Sequence, residues 1–399
     1  MTSAAVGQDT SEAAVEAPTW RDGKRYAWLL GLLVPSLPLM AWGLVEATGL
    51  GVFWFIGPFV VFGVFPVLDL VIGTDAENPP DSVIAWLEED RYYRWCTYAY
   101  IPLQYVSLVV ACWLWSSGDL SVVESVGLAL TTAMVAGVAI NTAHELGHKR
   151  ASVERWLSKV ALAQTGYGHF FIEHNRGHHV RVATPEDPAS SRLGESFYEF
   201  LPRTVAGSLR SSWELEGKRL ERMGKRPWTV HNDVLNAWAM TVVLFGALVA
   251  IFGPVVLPYL LIQAVLGFSL LEVVDYLEHY GLERGRRPDG RYEITRPEHS
   301  WNSNNVASNV LLYHLQRHSD HHANPLRRYQ ALRHEDDAPQ LPTGYAGMIV
   351  LAAIPPLWRR VMDRRLLDHY GEDLARTNIH PRTRRRVLAR YGGSDAAAA

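Results

Sequence analysis

Cysteine is almost missing from this chain: two occur in 399 residues, Cys96 and Cys112. Two thiols exclude a disulfide framework and a four-thiolate metal site, so packing in the core or against lipid is the expected role of both. Strong net charge is missing too. At −3 with histidine neutral, the chain lacks the electrostatic footprint of a nucleic-acid binder. Internal repeats and long low-complexity tracts are absent apart from the terminal GGSDAAAA, which reads as a linker.

Charge is also missing from six long apolar runs, and this absence carries topology. The runs cover about 26–45, 50–73, 97–115, 122–143, 234–252 and 254–278, each near the ~20 residues a helix needs to cross a bilayer. All 38 Lys and Arg lie outside them, in the N-terminal leader, at 91–94, in 149–226 or beyond 283, whereas the turns at 46–51, 116–120 and 252–254 have none. The positive-inside rule then places the basic segments and both termini in the cytosol. Trp20, Tyr26, Trp113 and Trp115 stand at run edges, where interfacial belts form. The first run follows an acidic, Ala-rich leader with no small-residue cleavage site, so it is expected to be a retained span.

The resulting expectation is an all-α integral membrane protein with six transmembrane helices in three hairpins, under a cytosolic helical cap. A leader (1–25) precedes a single membrane domain (26–380), whose cap comprises 144–233 and 279–380, and a basic then Ala-rich tail (381–399) follows. Helical periodicity marks 195–225. Residues 344–365, apolar but broken by proline, suit an interfacial helix with Arg359 and Arg360 reaching headgroups. The stretch RTRRRVLAR (382–390) is expected to lie against anionic headgroups or in water.

Sixteen histidines are present, and nine of them gather at four places. NTAHELGHKR sets His144 and His148 four residues apart, on one helical face. IEHNRGHHV contributes His174, His178 and His179, LEHYGL contributes His279, and LQRHSDHH contributes His318, His321 and His322. Buried imidazoles without partners are unfavourable, and neutral imidazole is the commonest protein ligand for transition metals, so the pattern points to a metal site. One zinc takes four ligands. Nine nitrogens suit two ions with four or five each, and nitrogen-rich coordination with open positions favours iron that must bind O2.

A competing reading exists, because HELGH matches the H-E-x-x-H zinc-protease signature with Glu145 as general base. It leaves the other seven imidazoles without a role. Glu145, Glu173, Glu278 and Asp320 adjoin the histidines and are expected to accept hydrogen bonds from them, with Glu173 or Glu278 as a direct ligand the less favoured option. His169, His231, His299, His314, His334, His369 and His380 fall outside the clusters and read as packing or surface residues.

HELGHK, EHNRGHH and LQRHSDHH resemble the three histidine boxes of the membrane-bound alkane 1-monooxygenases, and YLEHYGL resembles that family's HYG motif. Order and spacing match over about residues 20–370. Membrane fatty-acid desaturases and xylene monooxygenase are broader relatives. Asp275 departs from the pattern, standing where the family usually has Asn, and is expected to alter hydrogen bonding around the ligands. The resemblance implies two non-haem iron ions, O2 as co-substrate and terminal hydroxylation of medium-chain n-alkanes in a bacterial inner (plasma) membrane. It also implies electrons from rubredoxin, itself reduced by a rubredoxin reductase. Rubredoxin's cysteine pairs are not in this chain, so that carrier is expected to be a separate protein or a domain once fused at the C-terminal end. The alternative is a related di-iron enzyme acting on acyl chains or aromatic methyl groups.

An alkane would arrive from the bilayer. The second apolar run offers a candidate channel lining, Trp54, Phe55, Phe59 and Phe62 with Phe53 and Phe65 beside them, and Trp54 is the expected stop on chain length.

Overall fold

A computed structural model describes residues 20–392; most of the expected leader and the Ala-rich end of the tail lie outside them. Among the described residues the chain is helical, and β pairing is limited to isolated bridges. The helices that build the molecule are α1 (Ala27–Thr48), α2 (Gly51–Ile72), α3 (Arg91–Ser117) and α4 (Val122–Gly147). They are followed by α5 (Ser152–Ala163) and α6 (Phe197–Arg222), then α7 (Asp233–Phe252) and α8 (Val256–Glu278). Last come α9 (His318–Ala323), α10 (Tyr345–Ala352), α11 (Pro355–His369) and α12 (Arg384–Tyr391). Six of these, α1 to α4 with α7 and α8, are long and apolar enough to cross a membrane.

Local chemistry starts and stops them. Ser121 and Glu124 form a capping box at the head of α4, and Ser196 with Glu199 does the same for α6. Gly49 ends α1 in the left-handed conformation. The 26 residues of α4 measure about 39 Å against a hydrocarbon core of ~30 Å, so the end that leads into His144 and His148 outruns the apolar layer.

The centre of the bundle is α4, buried from Gly127 to Gly147 except at the half-buried Leu130. Neighbouring spans touch, but the most extensive pairing joins α4 to α8 rather than two members of one expected hairpin. Small residues make that approach close. A Cβ added at Gly137 would meet the Leu270 side chain at 2.6 Å and the Gly267 carbonyl at 3.0 Å. Cys96 and Cys112 are both buried and unpaired.

Residues 152–174 were expected in the cap, yet they turn back along the spans. Ser158 donates to the Ala143 carbonyl at 2.7 Å, and Gln104 reaches the Ala161 carbonyl at 3.0 Å. At the bottom of the dip Gln164 and Gln263 bond to each other, and Thr165 packs where Gly267 meets Ala136 and Gly137, two turns below His144. Irregular backbone survives at such depth because these amides satisfy it inside the protein. The 344–365 segment also differs from a single interfacial helix. It breaks before Pro355, and its first half, α10, buries Tyr345, Ala346 and Met348 against α8 and α2.

Candidate metal centre

Four chain segments bring the nine histidines to one end of the α4–α8 pair, where they form two groups. His144, His148, His174, His179 and His321 make one, and His178, His279, His318 and His322 make the other; within each, the candidate ligand nitrogens lie within 4.8 Å of one another. Helical geometry places His144 and His148 together, with ring centroids 5.2 Å apart. The middle segment is less regular. Residues His174–His178 form a single π turn, which widens the helix so that residues five apart share a face. His174 and His179 therefore converge, Nε2 to Nε2 at 3.1 Å, and His178 turns to the second group. On α9, His318 and His322 meet at 2.9 Å while His321 faces the first group, its Nε2 3.1 Å from that of His179.

These spacings fit metal ions. Two imidazole nitrogens bound at about 2.1 Å to one ion at right angles stand ~3 Å apart. The Nε2 atoms of His144, His148 and His178 are buried with no hydrogen-bond partner, an unfavourable state that a bound cation relieves. Burial, and then like-charge repulsion between neighbours, pushes His174, His179, His318, His321 and His322 well below the ordinary histidine range. Their rings are neutral and can donate lone pairs.

The neighbouring carboxylates divide. Glu278 points at the second group, Oε2 to His318 Nε2 at 3.2 Å. Glu145 faces away and takes the buried Lys149 ammonium at 3.0 Å, which removes it from the position a protease's general base would need. Glu173 pairs with Arg181 at 2.6 Å; burial raises its carboxyl to about 7 against the opposing pull of Ser211 and Arg181. Asp320 accepts from Arg327, Asn324 and the Arg333 amide, bracing the loop after α9. Asp275 is buried on α8 without a hydrogen bond to any of the nine imidazoles.

One partner escaped the sequence reading. Asp187 accepts from His178 Nδ1 at 2.9 Å and from Ser190 at 2.6 Å. Burial pushes this carboxyl up, but His178 and Ser190 outweigh it and hold it at about 2. A carboxylate on Nδ1 fixes the tautomer that leaves Nε2 free to ligate. Nothing in the spacing of TPEDPAS separates Asp187 from the adjacent Glu186. His314, read as packing, bonds the Tyr329 carbonyl at 2.9 Å and meets Trp28 edge-on.

Beneath the histidines lies an apolar cavity between α2, α4, α8 and α10, lined by Val61, Phe65, Gly137, Val138, Leu270 and Ile349 among others. Its one polar side chain is Asn141, a turn below His144, whose amide donates to the Leu312 carbonyl at 2.7 Å. Of the α2 aromatics expected to line a channel, only Phe65 does so. Trp54 and Phe55 pack on α4 at Gly127 and Thr131, Phe62 joins a neighbouring core cluster, and Phe59 is 65% exposed.

Comparison with known proteins agrees with this architecture. A family model described as fatty acid desaturase matches residues 121–352. The chain is 48% identical over 398 residues to the alkane 1-monooxygenase of Acinetobacter baylyi, covering 98% of this chain and 97% of the relative. It is 46% identical to that of Ectopseudomonas oleovorans, with 95% of each covered. The alkane 1-monooxygenase 1 of Alcanivorax borkumensis is also 46% identical, with 93% of this chain and 92% of the relative covered. A multi-pass, histidine-clustered enzyme with such relatives along nearly its whole length belongs to the alkane 1-monooxygenase family.

Proposed function

We propose that this chain hydroxylates the terminal carbon of medium-chain n-alkanes, with two non-haem iron ions held by the nine imidazoles, O2 as oxidant and rubredoxin as electron donor. The carrying observation is the division into five and four converging imidazoles directly above an apolar cavity. The reaction balances as alkane, O2, two electrons and two protons giving primary alcohol and water: one C–H bond breaks, one C–O bond forms, and the second oxygen leaves as water. A methyl group offers no acidic, basic or leaving-group handle, so bound iron supplies the oxygen activation that side chains lack.

The protein's residues supply the rest. His144, His148, His174, His179 and His321 hold one ion, and His178, His279, His318 and His322 hold the other, with Glu278 facing the second. Asp187 orients His178. Val61, Phe65, Val138 and Leu270 favour a hydrocarbon and exclude water, and the one polar side chain in the lining, Asn141, directs its amide to the Leu312 carbonyl. The Lys and Arg distribution supports an inner-membrane topology with the site and both termini in the cytosol.

The ion-paired Glu145 and the two-group geometry favour this reading over a zinc protease. Metal analysis of the purified protein followed by octane turnover with reduced rubredoxin tests it. Two irons per chain and 1-octanol are expected; a single zinc with peptide cleavage, or an alkene formed in an acyl chain, overturns it.

A further inference from the structure

Resting on the membrane placement rather than on the reaction, we infer that a basic pocket at the head of α5 and α7 holds the phosphate of an anionic phospholipid headgroup. The pocket measures about 270 Å³ and is lined chiefly by Arg155, Trp156, Lys159, Arg176, Arg219 and Asp233. Four segments meet in it: α5, the π turn between His174 and His178, the last turn of α6 and the first residue of α7. None of the nine clustered histidines lines it.

Charge in this pocket is unbalanced. Lys159 pairs with Asp233 at 2.7 Å, and Arg176 and Arg219 share Glu216 at 2.7 and 2.5 Å. Arg176 also reaches Asp233 at 3.3 Å. Four cations therefore stand against two carboxylates, a net charge of +2. Glu216 and Lys159 are buried, the half-buried Arg176 and Arg219 lie over them, and Arg155 is exposed with no ion pair among the described residues. The accessible face is thus made of guanidinium groups, whose planar sets of N–H donors match phosphate oxygens.

The depth of the pocket is that of a headgroup. α7 enters the apolar layer from Asp233, and α5 runs down from Ser152 to the dip at Gln164, so Ser152 to Lys159 covers about 10 Å at the edge of that layer. Trp156, Trp228 and Val230 are exposed beside it, at 49%, 77% and 81%, as suits a membrane interface. Below, α7 is the least buried of the six spans and turns Val242, Val243 and Ile251 outward. A free phosphate would use only the guanidinium groups. A phospholipid uses both features, its phosphate in the pocket and its acyl chains along α7; basic pockets between spans are headgroup sites of this kind.

The test titrates the full-length, iron-loaded protein in neutral detergent with dioleoylphosphatidylglycerol, dioleoylphosphatidylcholine or inorganic phosphate, and native mass spectrometry reads the Kd of the tightest bound molecule. Phosphatidylglycerol is expected to bind about tenfold more tightly than phosphatidylcholine and to raise Tm. Arg155→Ala, at an exposed site without an ion pair, is expected to weaken phosphatidylglycerol about fivefold, the loss of one cation's attraction. Trp156→Ala is expected to weaken both lipids, and Arg291→Glu, exposed in the loop after α8, neither. Equal affinity for the two lipids overturns the inference, as does an unchanged Kd in Arg155→Ala or an equal loss in Arg291→Glu. Displacement of phosphatidylglycerol by millimolar inorganic phosphate overturns it too, since the pocket would then take the free ion. Iron content and octane turnover play no part in these readings, so failure here leaves the hydroxylase reading standing.

Discussion

At the residue scale the decisive feature is direction. On a helix the side chain next to a ligand points about 100° away from it, which is why Glu145 finds Lys149 rather than the metal site. Glu278 escapes this rule because α8 ends there and His279 has left helical geometry, so both can face the second group. The split of His174, His178 and His179 is likewise a matter of direction, set by the π turn. Asp187 acts from a loop, through His178 Nδ1. Replacing it with Asn offers an N–H that reverses the tautomer and puts a proton on the ligating nitrogen. Asp187→Asn is expected to lower iron affinity of the four-imidazole group 10- to 100-fold while the five-imidazole group keeps its ion. Chelator competition with iron counting reads this as a fall from two tightly bound irons per chain to one.

At the element scale, spans were legible from hydrophobicity and their rotations were not. A helix that is apolar on all sides carries no moment to say which face turns inward. On α2 the cavity takes Val61 and Phe65, and Phe59 points outward. Gly137 is where α4 both meets α8 and borders the cavity. Gly137→Leu should wedge the pair apart, at about 1–3 kcal/mol of stability, and fill the cavity; a lowered Tm with octane turnover lost at normal iron content is the expected result. Trp54 sits beside Thr131, thirteen residues before His144 on α4, or about 20 Å along the axis. As the proposed far stop, its change to Ser should lengthen the longest alkane accepted while octane is still turned over. An unchanged chain-length profile would reject that role.

At the scale of the whole molecule, distant segments are braced by buried ion pairs. Glu154 of α5 receives Tyr98 of α3 at 2.8 Å and Arg328, beyond α9, at 2.9 Å. Burial pushes this carboxyl up, but Arg328 and Tyr98 outweigh it, so its folded pKa lies below its ordinary value. The unfolded chain therefore binds the proton more readily. The stabilisation is complete above the unfolded pKa of about 4.3 and is lost as pH falls through the folded value. Glu154→Gln should destabilise the protein at pH 7 by about 3 kcal/mol, because Arg328 is left unpaired, and should flatten the acid side of a Tm-against-pH curve. An equal acid slope in both proteins would show that another group governs it.

The linear order of residues was sufficient for features that are themselves local: apolar runs long enough to span a bilayer, basic segments between them, and histidines at helical spacing beside the runs. Each depends on a few consecutive residues and on the solvent they meet. Sorting nine donors into five and four, recruiting Asp187, turning Glu145 away and folding 152–174 back between the spans all depend on contacts between segments remote in the chain. Those contacts are set by how α4 and α8 pack and where a π turn shifts the register. No single stretch carries that information, because helix rotation is decided by what lies on the other side of the interface.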